Sequence, residues 1–304
     1  MLAERVVIGV DFSEAAHSAA RWAATQFVPA AELICVTVIE LGPTPLFVPP
    51  PLSLLWQDTD AARRHVGTRL HALASELRPT RPRSLVRFGS AAEEIERVAA
   101  ELGADLIVVG PHGEAARTWK SLGSTAERLV TSVSVPVLVG AKAGAGGLRS
   151  LVIAIDDADI TPTVIDWGAR VAAEHGARVT LVHAVPKNTT ASLVTVAGAP
   201  ASSGRGAPPD SDEIVSSGVR WARDRAGPRF AGQHFDVVVA EGRADEVIVR
   251  AAIDVSADLI LIGNSGKGRI RRTFLGSTIG PVLHAAPCPV LVITKRAPDA
   301  TSGP

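Results

Sequence analysis

Two segments of the chain combine glycine with hydroxyl side chains in an order that suits the binding of phosphate. Gly110-Pro111-His112-Gly113 is followed by nine residues and then by Gly123-Ser124-Thr125. Further along, Gly263-Asn264-Ser265-Gly266 is followed by nine residues and then by Gly276-Ser277-Thr278. Glycine lets the main chain approach an anion without a Cβ in the way, and the first N–H groups of a helix point toward negative charge. Since Ser and Thr hydroxyls add donors, each segment is a candidate phosphate cradle.

The same glycines could serve the fold alone. A single G-x-x-G pattern is more often a pair of tight turns, with Ser124 as a helix cap, but its repetition at the same spacing favours phosphate binding. Neither segment is a P-loop, because Gly266-Lys267-Gly268 lacks the hydroxyl residue that should follow the lysine. Neither is a dinucleotide fingerprint, because the glycines follow the fourth predicted strand of each half and not the first.

Charged residues accompany both candidate cradles. Asp11 and Asp156 each end a predicted strand, and this position would direct each side chain toward the candidate ligand site of its own half. Helix capping beside Ser13 and Thr161 is the alternative role. His112 is either a phosphate contact or a solvated loop residue. Basic side chains in the loops, which are equally well explained as exposed charges, would neutralise phosphate: Lys120, Lys267, Arg269, Arg271 and Arg272. The second loop is the more basic, so we expect it to bind more tightly.

The chain is a tandem repeat. Gly9-Val10-Asp11 reappears as Ala154-Ile155-Asp156 at an offset of 145 residues, and from Gly89 and Gly242 onward the offset is constant at 153. The glycine-rich stretch 140–147 is the predicted boundary, which gives domains over 1–142 and 148–296. Long surface loops are predicted over 42–52 and 186–212, and a frayed tail over 297–304.

Each half alternates apolar strands with amphipathic helices, which predicts a parallel sheet covered on both faces. In the first half the predicted strands are Val6–Val10, Leu33–Ile39, Ser84–Phe88, Leu106–Val109 and Val137–Val139. A doubly wound order would place a ligand crevice at the carboxyl ends of the first and fourth strands. The fold class is therefore α/β, with two tandem, doubly wound, five-stranded parallel-sheet domains.

Composition excludes several classes of protein. Lys and Arg together number 31, as do Asp and Glu, and this zero net charge argues against a protein that coats nucleic acid or an acidic membrane. The only two cysteines, Cys35 and Cys288, fit a reducing compartment and exclude a disulfide scaffold. No signal peptide or membrane span is recognisable, so we expect a cytoplasmic protein.

With an aspartate ending the first strand and the pattern G-2x-G-9x-G-(S/T) after the fourth, each half resembles a universal stress protein domain, of the adenine nucleotide alpha hydrolase-like fold. The resemblance implies one ATP per half, with Mg²⁺ held through the phosphates. The implied phosphate contacts are the glycine and hydroxyl residues of the two cradles: Gly110, Gly113, Gly123, Ser124, Thr125, Gly263, Gly266, Gly276, Ser277 and Thr278. Asp11, Asp156, Gly9 and Ala154 would face the nucleoside, and the main chain of Val38 and Ala184 would meet adenine.

The expected function is a nucleotide-dependent stress sensor or regulator. A slow ATPase and a cAMP-binding module of the same fold are the alternatives. We predict no catalytic residues and no protein-bound metal, because no acid–base pair, nucleophile set or metal cluster recurs in both halves. Because the last strand of each half would be a sheet edge, and such strands commonly pair between protomers in this family, we expect Val137–Val139 to pair with Val290–Val292 in an intrachain pseudo-dimer. A homodimer of tandem chains is expected in addition.

Overall fold

A computed structural model describes residues 2–40, 59–77, 82–113, 122–140, 147–185, 211–230, 232–265 and 276–294. The chain divides into two compact units, one of Met1–Ala145 with Arg296–Pro304 and the other of Gly146–Lys295. Most of the two predicted long loops, the tail and the centre of the predicted boundary lie outside the described residues. No helix in the described part of the chain has the length and apolar character that crossing a membrane requires.

The first unit alternates five strands with four helices over its described residues. Its elements are β1 (Arg5–Gly9), α1 (Glu14–Trp22), β2 (Glu32–Ile39), α2 (Thr59–Glu76), β3 (Arg83–Phe88), α3 (Ala91–Leu102), β4 (Leu106–Val109), α4 (Ser124–Ser132) and β5 (Val137–Val139). Helix α1 continues as a π-helical segment, Ala23–Phe27. The strands are parallel in the order β3-β2-β1-β4-β5.

The second unit repeats this arrangement. Its elements are β6 (Ser150–Ala154), α5 (Thr161–His175), β7 (Arg178–Val185), α6 (Ser211–Phe230), β8 (Phe235–Glu241), α7 (Ala244–Asp254), β9 (Leu259–Asn264), α8 (Ile279–Ala285) and β10 (Val290–Thr294). The strand order β8-β7-β6-β9-β10 matches that of the first unit, and every pair is parallel. The predicted fold class, two tandem five-stranded parallel α/β domains, is thus confirmed. The pairing of the two last strands stays a prediction.

The strand order reverses beside β1 and β6, which determines where a ligand can bind. β1 pairs with β2 on one side and with β4 on the other, and β6 pairs likewise with β7 and β9. The connections leave these neighbouring strands in opposite directions, so a crevice opens above their carboxyl ends. Apolar side chains that are almost completely buried, such as Ile8 and Ile107, fill the sheet below it.

A repeated aspartate fixes the opposite edge of each sheet. The Asp105 carboxylate accepts hydrogen bonds from the amides of Glu4 and Arg5, at 2.9 and 3.0 Å. The Asp258 carboxylate accepts from the amides of Arg149 and Ser150 at the same two distances. Since these bonds lie at the amino ends of β1 and β6, this repeated pair of acidic residues stabilises the strand starts and takes no part in the crevice.

Candidate functional site

The aspartate at the end of β1 is part of a helix-capping turn. The Ser13 amide donates to Asp11 Oδ1 at 3.0 Å, and Ser13 Oγ accepts from the Ala16 amide at 3.0 Å. Ser13 is therefore the N-cap of α1, as its position in the sequence predicts. The Asp11 side chain is exposed. The bond from the Ser13 amide occupies Oδ1 of Asp11, and Oδ2 takes no part in this turn.

That second oxygen, Asp11 Oδ2, lies against the loop that follows β4. A Cβ added to Gly113 would stand 2.9 Å from Oδ2, closer than a real Cβ approaches another heavy atom. Gly113 therefore has no room for a side chain while Asp11 keeps this position. Residues 11 and 113 meet because β1 and β4 are neighbours in the sheet, so the acid and the first glycine loop form one site.

The second part of the glycine pattern closes on the first. The Gly123 amide donates to the Pro111 carbonyl at 2.7 Å, and a Cβ on Gly123 would stand 3.2 Å from the Cα of His112. Gly123 is also the N-cap of α4, whose first intrahelical bond runs from the Glu127 amide to the Gly123 carbonyl at 3.0 Å. Gly123 has no side chain, so the N-cap residue itself contributes no side-chain acceptor to this helix end. The amides of residues 124–126 therefore begin the helix beside the loop and are oriented to bind an anion.

Three of the predicted site glycines have a packing role. A Cβ on Gly110 would stand 2.9 Å from the amide nitrogen of Ala16 in α1, and one on Gly263 would stand 2.7 Å from Ile160 Cγ2 beside α5. A Cβ on Gly9 would stand 2.8 Å from Ile95 Cδ1 in α3. These glycines let helices lie close to the strand ends. Their contact with a ligand stays a prediction.

The second unit holds its aspartate differently. Asp156 Oδ1 accepts from the Ala158 amide at 3.0 Å and from Thr161 Oγ1 at 2.8 Å. Thr161 is almost completely buried, and its hydroxyl also lies 2.9 Å from the Asp156 carbonyl oxygen. Asp156 itself is exposed, as Asp11 is, and the neighbouring Ala154 at the end of β6 is half-buried. Two donors thus meet one carboxylate oxygen of Asp156, but neither is a main-chain amide of α5, whose N-cap is Ile160 without a side-chain capping bond.

The last helix of the second unit begins later than the repeat predicts. At the 153-residue offset the N-cap would be Gly276, but it is Thr278, and the first intrahelical bond runs from the Val282 amide to the Thr278 carbonyl at 3.0 Å. The expectation that Gly276-Ser277-Thr278 opens a helix is therefore wrong by two residues. Pro281 explains the delay, because a helix that started at Ser277 would need an amide hydrogen at position 281.

The remaining predicted site residues fall into two groups. Half-buried residues at the strand ends and in the loops are Val38 in β2, Ala184 in β7, Asn264 at the end of β9, His112 and Ser265. Outside the described residues lie Gly266 and the predicted phosphate-neutralising cations Lys120, Lys267, Arg269, Arg271 and Arg272. The expected tighter binding by the second, more basic loop therefore stays a prediction.

Comparison with known proteins agrees with this architecture. The family model described as the universal stress protein family matches residues 3–140 and again residues 147–294. The chain belongs to the universal stress protein family. A universal stress protein of Mycobacterium tuberculosis is 25% identical over 300 residues, which cover 94% of this chain and 96% of that protein. Another, from Thermus aquaticus, is 45% identical over 58 residues, which cover 19% of this chain and 42% of that protein.

A solved structure supports the fold of this universal stress protein. The crystal structure of a universal stress protein from Archaeoglobus fulgidus aligns with a TM-score of 0.66 at 17% identity, over 98% of both chains. At that identity the likeness concerns the fold alone.

Sequence reasoning missed one feature that this universal stress protein repeats in both domains. His183 occupies the position of Thr37, and in the sequence this difference in residue type argues against an essential imidazole. In the structure, Thr37 Oγ1 donates to the Val10 carbonyl at 2.9 Å, and His183 Nδ1 lies 3.0 Å from the carbonyl of Ile155. A comparison of donor capacity at matched positions would have found it.

Proposed function

We propose that this universal stress protein binds ATP and acts as a nucleotide-dependent regulator of a stress response. One observation carries the proposal. Asp11 Oδ2, Gly113, Gly123 and the start of α4, which has a glycine as its N-cap, come together above the carboxyl ends of β1 and β4. An acceptor for ribose hydroxyls thus lies beside main-chain donors for phosphate, which is the combination that a nucleotide requires.

The residues of the first unit fit a nucleotide on steric and chemical grounds. Gly113 and Gly123 bring the 111–113 loop against Asp11 and the start of α4, because a Cβ at either position would meet those neighbours. Ser124 is exposed and Thr125 is half-exposed at the start of α4, so both hydroxyls are available as donors. ATP would supply the charge and the bound Mg²⁺, while the chain orients the nucleotide through these donors.

A second site in the other unit is part of the proposal and has a different basis. It rests on the repeated sequence pattern, on exposed Asp156 and Ser277, and on the basic residues of the second loop. The late start of α8 displaces the helix-terminal donors by two residues from the position they have in the first site, and Pro281 in its first turn has no amide hydrogen. We therefore assign side-chain and loop groups the larger share of any phosphate binding there.

Regulation follows if nucleotide changes the population of two conformations. A ligand shifts such an equilibrium only by its differential affinity for the two states. ATP that joins the β1 and β4 loops would favour the state in which they are close. The downstream partner would then recognise that state in preference to the nucleotide-free one.

The first experiment is to denature the purified protein and identify the released nucleotide by mass spectrometry. Calorimetry with ATP and with cAMP then distinguishes an ATP-binding sensor from a cAMP-binding module. A separate measurement of phosphate release distinguishes the sensor from a slow ATPase. Gly123→Ala is expected to remove one binding site, because its Cβ would contact the 111–113 loop. Gly227→Ala is the matched control, since its Cβ meets no described atom within 4 Å. Loss of a site in both variants, or in neither, would contradict the placement.

A further inference from the structure

Thr37 and His183 occupy equivalent positions and bond equivalent carbonyls, one through a hydroxyl and the other through an imidazole. Each side chain reaches the carbonyl of the residue that precedes the crevice aspartate, Val10 in one unit and Ile155 in the other. A carbonyl oxygen only accepts, so His183 must carry its hydrogen on Nδ1 for this contact. Thr37 is 5% exposed, so its bond is shielded from water.

These side-chain bonds take the place of the next main-chain hydrogen bond between the two strands. The Val10 amide donates to the Val36 carbonyl at 2.8 Å. Alternate residues of a parallel strand face the same neighbour, so the main chain of Val38 also faces β1, and its regular partner would be the Val10 carbonyl. That carbonyl accepts the Thr37 hydroxyl at 2.9 Å. Across the described residues, the main-chain bonds between β1 and β2 end at Val10 and Val36.

The second unit follows the same pattern. The Ile155 amide donates to the Val182 carbonyl at 2.9 Å, and Nδ1 of His183 occupies the Ile155 carbonyl. By the same alternation the main chain of Ala184 faces β6 beyond its last residue. The imidazole of His183 also packs against Trp221 of α6, with ring centroids 4.7 Å apart, which restricts its orientation. Threonine needs no such packing to fix its orientation, because its short β-branched side chain has few rotamers.

We propose that Thr37 and His183 are positioning residues, which occupy the strand-end carbonyls and thereby leave the main-chain N–H groups of Val38 and Ala184 directed into the crevice as ligand donors. The identity of the ligand as an adenine nucleotide rests on the proposed function. The positioning itself does not, because it concerns bonds within the ligand-free chain. Without the side-chain donor, the Val38 amide would close onto the Val10 carbonyl and extend the ladder by one bond.

Two pairs of variants, in each of which one member has a hydroxyl and the other lacks it, test this proposal. Thr37→Val removes the hydroxyl and keeps the volume, and Thr37→Ser keeps the hydroxyl. In the second unit, His183→Thr and His183→Val lose the Trp221 contact equally and differ only by the hydroxyl. Residue-resolved hydrogen exchange of the ligand-free full chain reports on the Val38 and Ala184 amides. Calorimetry with ATP reports on affinity.

We expect Thr37→Val to slow exchange of the Val38 amide and to weaken nucleotide binding by about tenfold, the effect of one lost hydrogen bond of average strength. Thr37→Ser should behave like the wild type. His183→Thr should likewise preserve fast exchange at Ala184, whereas His183→Val should slow it. Ser150→Ala is the control for general loss of stability, because Ser150 Oγ donates to the Val255 carbonyl at 3.1 Å at the other edge of the sheet.

The proposal is overturned if Thr37→Val leaves exchange of the Val38 amide unchanged, or if His183→Thr and His183→Val behave alike. It is also overturned if Ser150→Ala reproduces the effects of Thr37→Val, since a general loss of stability would then explain them. A wild-type protein that binds no nucleotide would refute the proposed function, and the exchange measurements would still decide the positioning.

Discussion

The contact between Asp11 and Gly113 can be tested by replacing Gly113 with Ala. The new Cβ would stand 2.9 Å from Asp11 Oδ2, so the carboxylate must rotate away. Rotation breaks the 3.0 Å bond from the Ser13 amide to Oδ1. Because Asp11 is exposed, this bond is worth about 1 kcal/mol of unfolding free energy. We expect Gly113→Ala to cost about that amount, offset in part by the lower entropy of the unfolded chain.

A double-mutant cycle isolates the contact. Asp11→Ala removes the same bond, so adding Gly113→Ala to it should cost nothing further and give a coupling energy of about 1 kcal/mol. Urea unfolding of the wild type, the two single variants and the double variant measures this coupling, provided that the unfolding free energy depends on urea concentration with the same slope in all four. Gly67→Ala in α2 is the control, because its Cβ would meet Val86 Cγ2 at an ordinary 3.8 Å and its effect should not depend on Asp11. Additivity of Gly113→Ala and Asp11→Ala within about 0.3 kcal/mol would refute the placement of the carboxylate on the loop.

Three further predictions concern other parts of the chain. Ser256 has a φ of +49° where the first unit has Gly103 at +60°, so Ser256→Gly should raise the unfolding free energy by about 0.5–1 kcal/mol in urea titrations; a decrease would contradict this. Pro281→Ala should let α8 begin near Ser277, which would appear as slower exchange of the amides that gain intrahelical partners, and unchanged exchange would count against the steric explanation. Burial raises the pKa of the Cys35 thiol from its ordinary 9.0 to about 12. Between pH 9 and 12 the unfolded chain releases this proton and the folded chain keeps it, so the thiol lowers the unfolding free energy of the wild type by about 1.4 kcal/mol per pH unit; below pH 9 it has no such effect. Cys35→Ala should remove this part of the pH dependence, and an unchanged slope would refute the prediction.

The fold could be predicted from the sequence because its signals are local and occur twice. The apolar run Leu106–Val109 is β4 to the residue, and the predicted strand Ser84–Phe88 begins one residue late. Ser13 is the cap that its position indicated. Strand and helix periodicity are properties of neighbouring residues, so they do not depend on the tertiary arrangement.

The candidate site was only partly accessible in this way. The sequence placed Asp11 and Gly113 at the same edge of a sheet, but their contact arises from the pairing of β1 with β4. It assigned Gly110 and Gly263 to phosphate, whereas the packing of α1 and α5 determines why no side chain fits there.

On its own, the sequence determined two α/β domains of one family and the edge of each sheet where a ligand would bind. The tertiary structure decided which atoms meet at that edge. It showed that a threonine and a histidine bond equivalent strand-end carbonyls in the two units, and that a proline delays a repeated helix. Periodicity specifies which face of an element is buried, whereas hydrogen-bond partners depend on ångström-scale distances between segments far apart in the chain.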